Sequence, residues 1–131
     1  MSRVIAAALF LLMSGCVSLP PHNPAEAWIE VYSASYDSLM AETLDGKTWG
    51  PGSYYQVTPG AHTLGLSFQY PAGPRDAYPD SCSFSLAYDD FQAGKDYHLL
   101  AGWNFNGAWV HLLDEQGEKL ASQTCNSPYG N

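Results

Sequence analysis

Between residues 27 and 126 the apolar positions of this 131-residue chain recur at every second residue, and Gly, Pro, Asn and Asp interrupt them at short intervals. A period of two marks strands that bury one face, whereas an amphipathic helix would repeat every 3.6 residues, and no long stretch does so here. The clearest strand is His62 to Tyr70, where Leu64, Leu66, Phe68 and Tyr70 share one face and Thr63, Gly65, Ser67 and Gln69 the other. It starts at Thr58-Pro59-Gly60-Ala61, with Pro pre-setting the second turn position and Gly supplying positive φ at the third, a type II turn. Ser53 to Val57 is therefore expected to pair antiparallel with it. Asn106-Gly107 between two apolar runs is the strongest short-range sign of a type I′ hairpin. With Phe105 facing Ala108, a core face collects Tyr97, Leu99, Ala101, Trp103, Phe105, Val110 and Leu112. The opposite face collects His98, Leu100, Gly102, Asn104, Trp109, His111 and Leu113.

Phe84, Leu86 and Tyr88 alternate ahead of an Ala93-Gly94-Lys95 turn, and Ile29 and Val31 alternate in the first strand. Tyr36 to Leu44 ends at an Asp45-Gly46 turn, and Gln116-Gly117 leads into a last strand, Glu118 to Cys125. Six to eight short strands are too many for one small flat sheet with a single covered face, so the chain predicts an all-β antiparallel sandwich of two sheets.

The first 26 residues follow a different pattern. Arg3, an apolar run from Val4 to Met13 and the small pair Ser14-Gly15 read as a secretory signal, because so short a run cannot span a bilayer. Met13-Ser14-Gly15-Cys16 resembles the lipobox of bacterial lipoproteins, with Met where Leu is more usual. That resemblance implies removal of residues 1–15 and acylation of Cys16. Val17 in place of Asp resembles outer-membrane sorting in enteric-type bacteria, which implies an outer-membrane lipoprotein facing the periplasm. Residues 16–26, with Pro20, Pro21 and Pro24, read as a tether of roughly 30 Å at about 3.1 Å per residue, in which His22 is solvated. Residues 27–126 then form one domain and 127–131 a tail.

Without the signal the chain keeps Lys47, Arg75, Lys95 and Lys119 against 13 acidic residues, a formal charge of −9. Such a surface repels phosphate backbones and anionic headgroups, which argues against nucleic acid as a partner and leaves membrane attachment to the acyl chains. Once Cys16 is acylated, Cys82 and Cys125 remain, and in an oxidising compartment they are expected to form a disulfide. A redox or metal pair would more naturally sit close together, as Cys-x-x-Cys.

The segments Asp45-Gly46, Gly52-Ser53-Tyr54-Tyr55, Val57-Thr58-Pro59-Gly60-Ala61-His62-Thr63-Leu64 and Ala93-Gly94-Lys95-Asp96-Tyr97 carry a further resemblance. A "pG-x-H-x-L" hairpin followed some thirty residues later by a "G-x-x-Y" turn is similar to the plan of PEGA-type domains and of related small bacterial lipoproteins of unknown function. The resemblance implies a prealbumin-like or PEGA-like β-sandwich in the bacterial envelope and brings no catalytic residues. The long Pro-rich loop from Pro71 to Ser81 and the cysteine pair depart from that plan.

Candidate chemistry is sparse. His62 heads an apolar face and is expected to make structural hydrogen bonds. His98 and His111 share a face, but with Gly102 opposite His111 they lie four residues apart along neighbouring strands, about 13 Å, too far for one zinc ion. Asp89 and Asp90 point to opposite faces of a strand and make a poor acid/base pair, while Asp76, Asp80 and Asp96 read as solvated charge near turns. No Gly-x-Ser-x-Gly elbow, phosphate-cradling loop, His-Glu-x-x-His or calcium-loop spacing occurs, so no enzyme, metal or cofactor is expected. What remains is aromatic surface: four Trp and nine Tyr exceed what a core of this size buries fully, and such residues suit interfaces and sugar-stacking faces. The candidate binding surface is Tyr70, Tyr78, Asn104, Trp109 and His111, with partial burial against neighbouring strands as the alternative. The expectation is a lipid-anchored, non-catalytic binding or scaffolding module for an envelope protein or glycan; the alternative is a small periplasmic glycan-directed enzyme or inhibitor.

Overall fold

The computed structural model describes residues 20–32, 38–71, 79–104 and 107–126. Among the described residues nine strands follow one another without a helix: β1 (Ala27–Val31), β2 (Ser38–Leu44), β3 (Lys47–Thr48), β4 (Tyr54–Val57), β5 (Gly60–Pro71), β6 (Pro79–Phe91), β7 (Asp96–Asn104), β8 (Gly107–Leu113) and β9 (Lys119–Asn126). They build the expected all-β sandwich, with one more strand than the upper expectation. One sheet runs β4-β1-β7-β8-β9 and the other β3-β2-β5-β6. All pairings are antiparallel except β1 with β7, which is parallel.

The alternating pattern fills the space between the sheets. Leu64, Leu66, Phe68 and Tyr70 of β5, Phe84 and Leu86 of β6, Tyr97 and Leu99 of β7, and Val110 and Leu112 of β8 are all buried in one core with Ile29, Leu39, Tyr55 and Val57. Burying so many large side chains on a domain of this size is the dominant stabilising term, at about 1.5–3 kcal/mol each. The Tyr55 hydroxyl keeps its hydrogen bond inside by donating to the Gly65 carbonyl at 2.6 Å, and burial pushes its pKa up.

Two local expectations are corrected. Ser53 to Val57 does not pair with the following strand: β4 lies antiparallel to β1 in the five-stranded sheet, and β5 pairs with β2 and β6 in the other. The Thr58-Pro59-Gly60 turn is a corner between sheets, where Gly60 still takes its positive φ of 112°. Pro-Gly serves a hairpin and a corner equally well, because both need a fixed φ followed by a positive one. The β7–β8 register is shifted as well. Asn104 faces Gly107, Trp103 faces Ala108 and Leu100 faces His111, so Gly107 pairs within the ladder, while Phe105 and Asn106 lie outside the described residues. A shift of one residue on each strand keeps every side chain on its assigned face, and Val110 and Leu112 are buried as expected.

The turns at Asp45-Gly46 (φ 52° and 81°), Gly94 (76°) and Gly117 (82°) stand where expected. Cys82 in β6 and Cys125 in β9 form a disulfide with Cα atoms 6.3 Å apart. Since β6 and β9 are edge strands of different sheets, this bond clamps a side of the sandwich that no backbone ladder closes.

Candidate functional site

The outward face of the five-stranded sheet carries most of the residues singled out from the sequence. Trp109 and His111 alternate on β8, their rings stacked with centroids 4.5 Å apart. Across the ladder Trp109 is paired with Gly102, and a Cβ at that position would overlap the indole. Gly102 thus opens the floor across which Trp109 lies, a reason for glycine that has nothing to do with φ. Leu100 beside His111 and Tyr32, which follows β1, extend the same face and are 37% and 57% exposed. Asn104 is exposed at the end of β7. The His111 ring is held below the usual histidine range by its partial burial, with a smaller push from the Lys119 charge.

Tyr70 does not belong to this face. It is 1% exposed, its ring stacks on Phe68 and Trp103, and its hydroxyl lies 3.8 Å from the Cys82 sulfur. Period two assigned it correctly to the inner side of β5, and that assignment excludes it from an outer patch. Tyr78 lies outside the described residues. Trp103 has the inner-face parity expected of it but not the expected depth, since it is 37% exposed. It stands near the end of the β7–β8 ladder and stacks on Tyr70 of the opposing sheet with centroids 5.6 Å apart.

At the opposite end of β1 the structure adds an aromatic group that the sequence reading missed. His22 stacks on Trp28 at 3.8 Å, and Trp28 stacks on Tyr54 at 4.4 Å. His22 Nδ1 also lies 3.3 Å from an Asp96 carboxylate oxygen. This segment was expected to be a solvated tether. Instead the Asn23 amide donates to Gln56 Oε1 at 2.7 Å, Asn23 Oδ1 accepts from the Ala25 amide at 2.9 Å, and the Glu26 carbonyl accepts from the Gly94 amide at 2.9 Å. The signal that could have found it is Asn23-Pro24, since Asn readily builds an Asx turn and Pro favours turn initiation.

His62 has the structural role expected of it. Its Nδ1 is 2.6 Å from Asp45 Oδ2, and its Nε2 is 2.7 Å from the Thr58 carbonyl and 3.1 Å from the Thr58 hydroxyl. Asp45 Oδ1 accepts the Thr63 amide at 2.8 Å. Together these bonds pin the β2–β3 turn to the β4–β5 corner. The Thr63 amide, then the His62 hydrogen bond, hold the Asp45 carboxyl below its ordinary pKa. An Asp-His-hydroxyl array invites comparison with a hydrolase, but an Nε2 proton directed at a carbonyl cannot serve as the vacant base that would activate Thr58.

His98 and His111 come closer than the expected register allowed, about 7 Å along neighbouring strands, because His111 faces Leu100. Each ring is otherwise engaged: His98 Nδ1 lies 3.3 Å from Glu30 Oε1, and His111 stacks on Trp109. Among the described residues no group of three or more His, Cys, Asp or Glu could hold a metal ion. Asp89 and Asp90 are exposed near the end of β6, Asp80 lies in β6, and Asp76 lies outside the described residues. No protein-family model, no curated protein and no solved structure matches this chain.

Proposed function

We propose that this chain is a lipid-anchored envelope module that captures a partner without catalysis, through the outward face of its five-stranded sheet. The observation that carries the reading is that face itself: Trp109 laid across Gly102 with His111 stacked beside it, and Leu100 and Tyr32 exposed nearby, on a sheet whose other side supplies Ile29, Leu99, Val110 and Leu112 to the core. Half-exposed aromatic and aliphatic side chains on a rigid strand scaffold are where interface energy concentrates. The resemblance of the turn segments to PEGA-type modules and of Met13-Ser14-Gly15-Cys16 to a lipobox supports reading it as an outer-membrane lipoprotein that faces the periplasm. Because His22 stacks on Trp28 of the sandwich, five residues of sequence, 17–21, separate it from Cys16. They span about 16 Å in extended form, so the leash is short.

Two variants test the two halves of the reading. Cys16→Ser should leave the protein unacylated and absent from the membrane fraction, since neither the −9 charge nor the sandwich offers another anchor. Leu100→Asp should abolish co-purification of the partner while the melting temperature stays unchanged, because Leu100 is on the surface and outside the core. Retention of Cys16→Ser in membranes contradicts the first half, and unchanged partner recovery with Leu100→Asp the second. Loss of glycan binding with Trp109→Ala, with protein partners retained, would instead favour a glycan-directed role.

A further inference from the structure

A second surface lies away from the outward face, along the side where β6 and β9 are clamped by Cys82–Cys125. At the far end of that seam from the disulfide, two adjoining hollows of about 230 and 470 Å³ share Tyr88 of β6 and Leu120 of β9. Together they fall in the size range of ligand sites. The shared wall is aromatic: the Tyr88 ring stands edge-on to Phe91 at 5.0 Å and tilted against Tyr97 at 6.4 Å. Ala61, Ala87, Leu120 and Ala121 supply an apolar lining.

We propose that this aromatic-walled cleft receives the guanidinium or ammonium side chains of a basic polypeptide partner. The argument is complementarity of charge and shape. Asp45 and Asp89 border the larger hollow and Asp96, Asp114 and Glu115 the smaller, while Lys95 and His62 are the only lining groups able to carry positive charge. The negative field reaches the ring itself: burial raises the Tyr88 pKa first, and Tyr97, Asp90, Asp89 and Asp114 push it further. A cation over a tyrosine ring gains from the ring's electron-rich face, and the methylene stem of Lys or Arg packs on Leu120 and the alanines. A polypeptide fits better than a free amine. In an open, solvated groove a single ion pair gains little, whereas several side chains on one backbone add their contributions. This surface is distinct from the outward face, so it stands or falls independently of the partner captured there.

Asp89 and Glu42 make the test, because their neutralisation changes net charge equally. Asp89 lines the larger hollow; Glu42 of β2 lines neither and accepts a hydrogen bond from the Ser67 hydroxyl at 3.2 Å. The full exported protein, labelled with 15N, is titrated at physiological salt with the peptide Gly-Arg-Gly-Arg-Gly, with its Gln-for-Arg counterpart and with spermidine. The arginine peptide should give saturable amide shifts centred on Tyr88, Asp89, Glu115 and Leu120. Asp89→Asn should weaken its binding about five-fold, and Glu42→Gln less than about two-fold. Equal weakening by both variants would show diffuse attraction in place of a site. Binding of the Gln peptide as tight as that of the arginine peptide, spermidine binding as tight, or shifts elsewhere would each overturn the proposal.

Discussion

A single methyl group at Gly102 would occupy the space that the Trp109 indole fills. Gly102→Ala should therefore cost about 1–3 kcal/mol in urea unfolding, the usual range for overpacking, and should alter the tryptophan emission. Added to Trp109→Ala, the same change should cost nearly nothing, since the clash is gone; an additive double mutant would show that the ring does not lie across this glycine. Asp45 carries a pH signature of known sign. Its carboxyl is held below its ordinary pKa by the Thr63 amide and His62, so it contributes stability that is complete above about pH 4 and is lost as the pH falls through the depressed value. Thermal melts between about pH 2 and 5 should fall more steeply for the native protein than for Asp45→Asn. Parallel curves would remove Asp45 from the account of acid stability.

The β4–β5 corner depends on backbone conformation more than on packing, because a Cβ at Gly60 would meet open space while its φ is 112°. Gly60→Val should cost on the order of 1–3 kcal/mol by strain alone, and an unchanged melting temperature would contradict the corner. This element also shows what the sequence makes legible. The inner face of β5, the turns at Asp45-Gly46 and Gln116-Gly117, and the Cys82–Cys125 bond follow from alternation, turn chemistry and cysteine arithmetic, all of which are local or nearly so. The sheet to which β4 belongs does not, since the preference of Pro59-Gly60 is satisfied by a corner as well as by a hairpin. The parallel placement of β1 beside β7 is a long-range pairing with no local marker. At the candidate site, alternation put Trp109, His111 and Leu100 on one outward face. It could not say that Trp103 stays 37% exposed, because parity sets a side chain's face and not its depth.

For the molecule as a whole, the seam between β6 and β9 is closed by a disulfide that spans 43 residues of sequence. Replacing both Cys82 and Cys125 by Ala should cost about 4 kcal/mol in the chain-entropy view, a large share of a small domain's net stability, with β9 the first strand to lose amide protection. Retained stability would mean that packing alone holds the seam. The two sheet surfaces also differ in the side chains that they present. The outer side of the four-stranded sheet presents Ser83 and Ser85 with a single exposed large apolar side chain among the described residues, Met40, whereas the five-stranded sheet presents Leu100, Trp109 and His111 together. The most direct measurement is photocrosslinking in intact cells, with a light-activated residue placed at Leu100 or at Ser85. Partner capture through the five-stranded sheet predicts a discrete adduct from Leu100 and none from Ser85. No adduct from Leu100, or the same adducts from both positions, would contradict it.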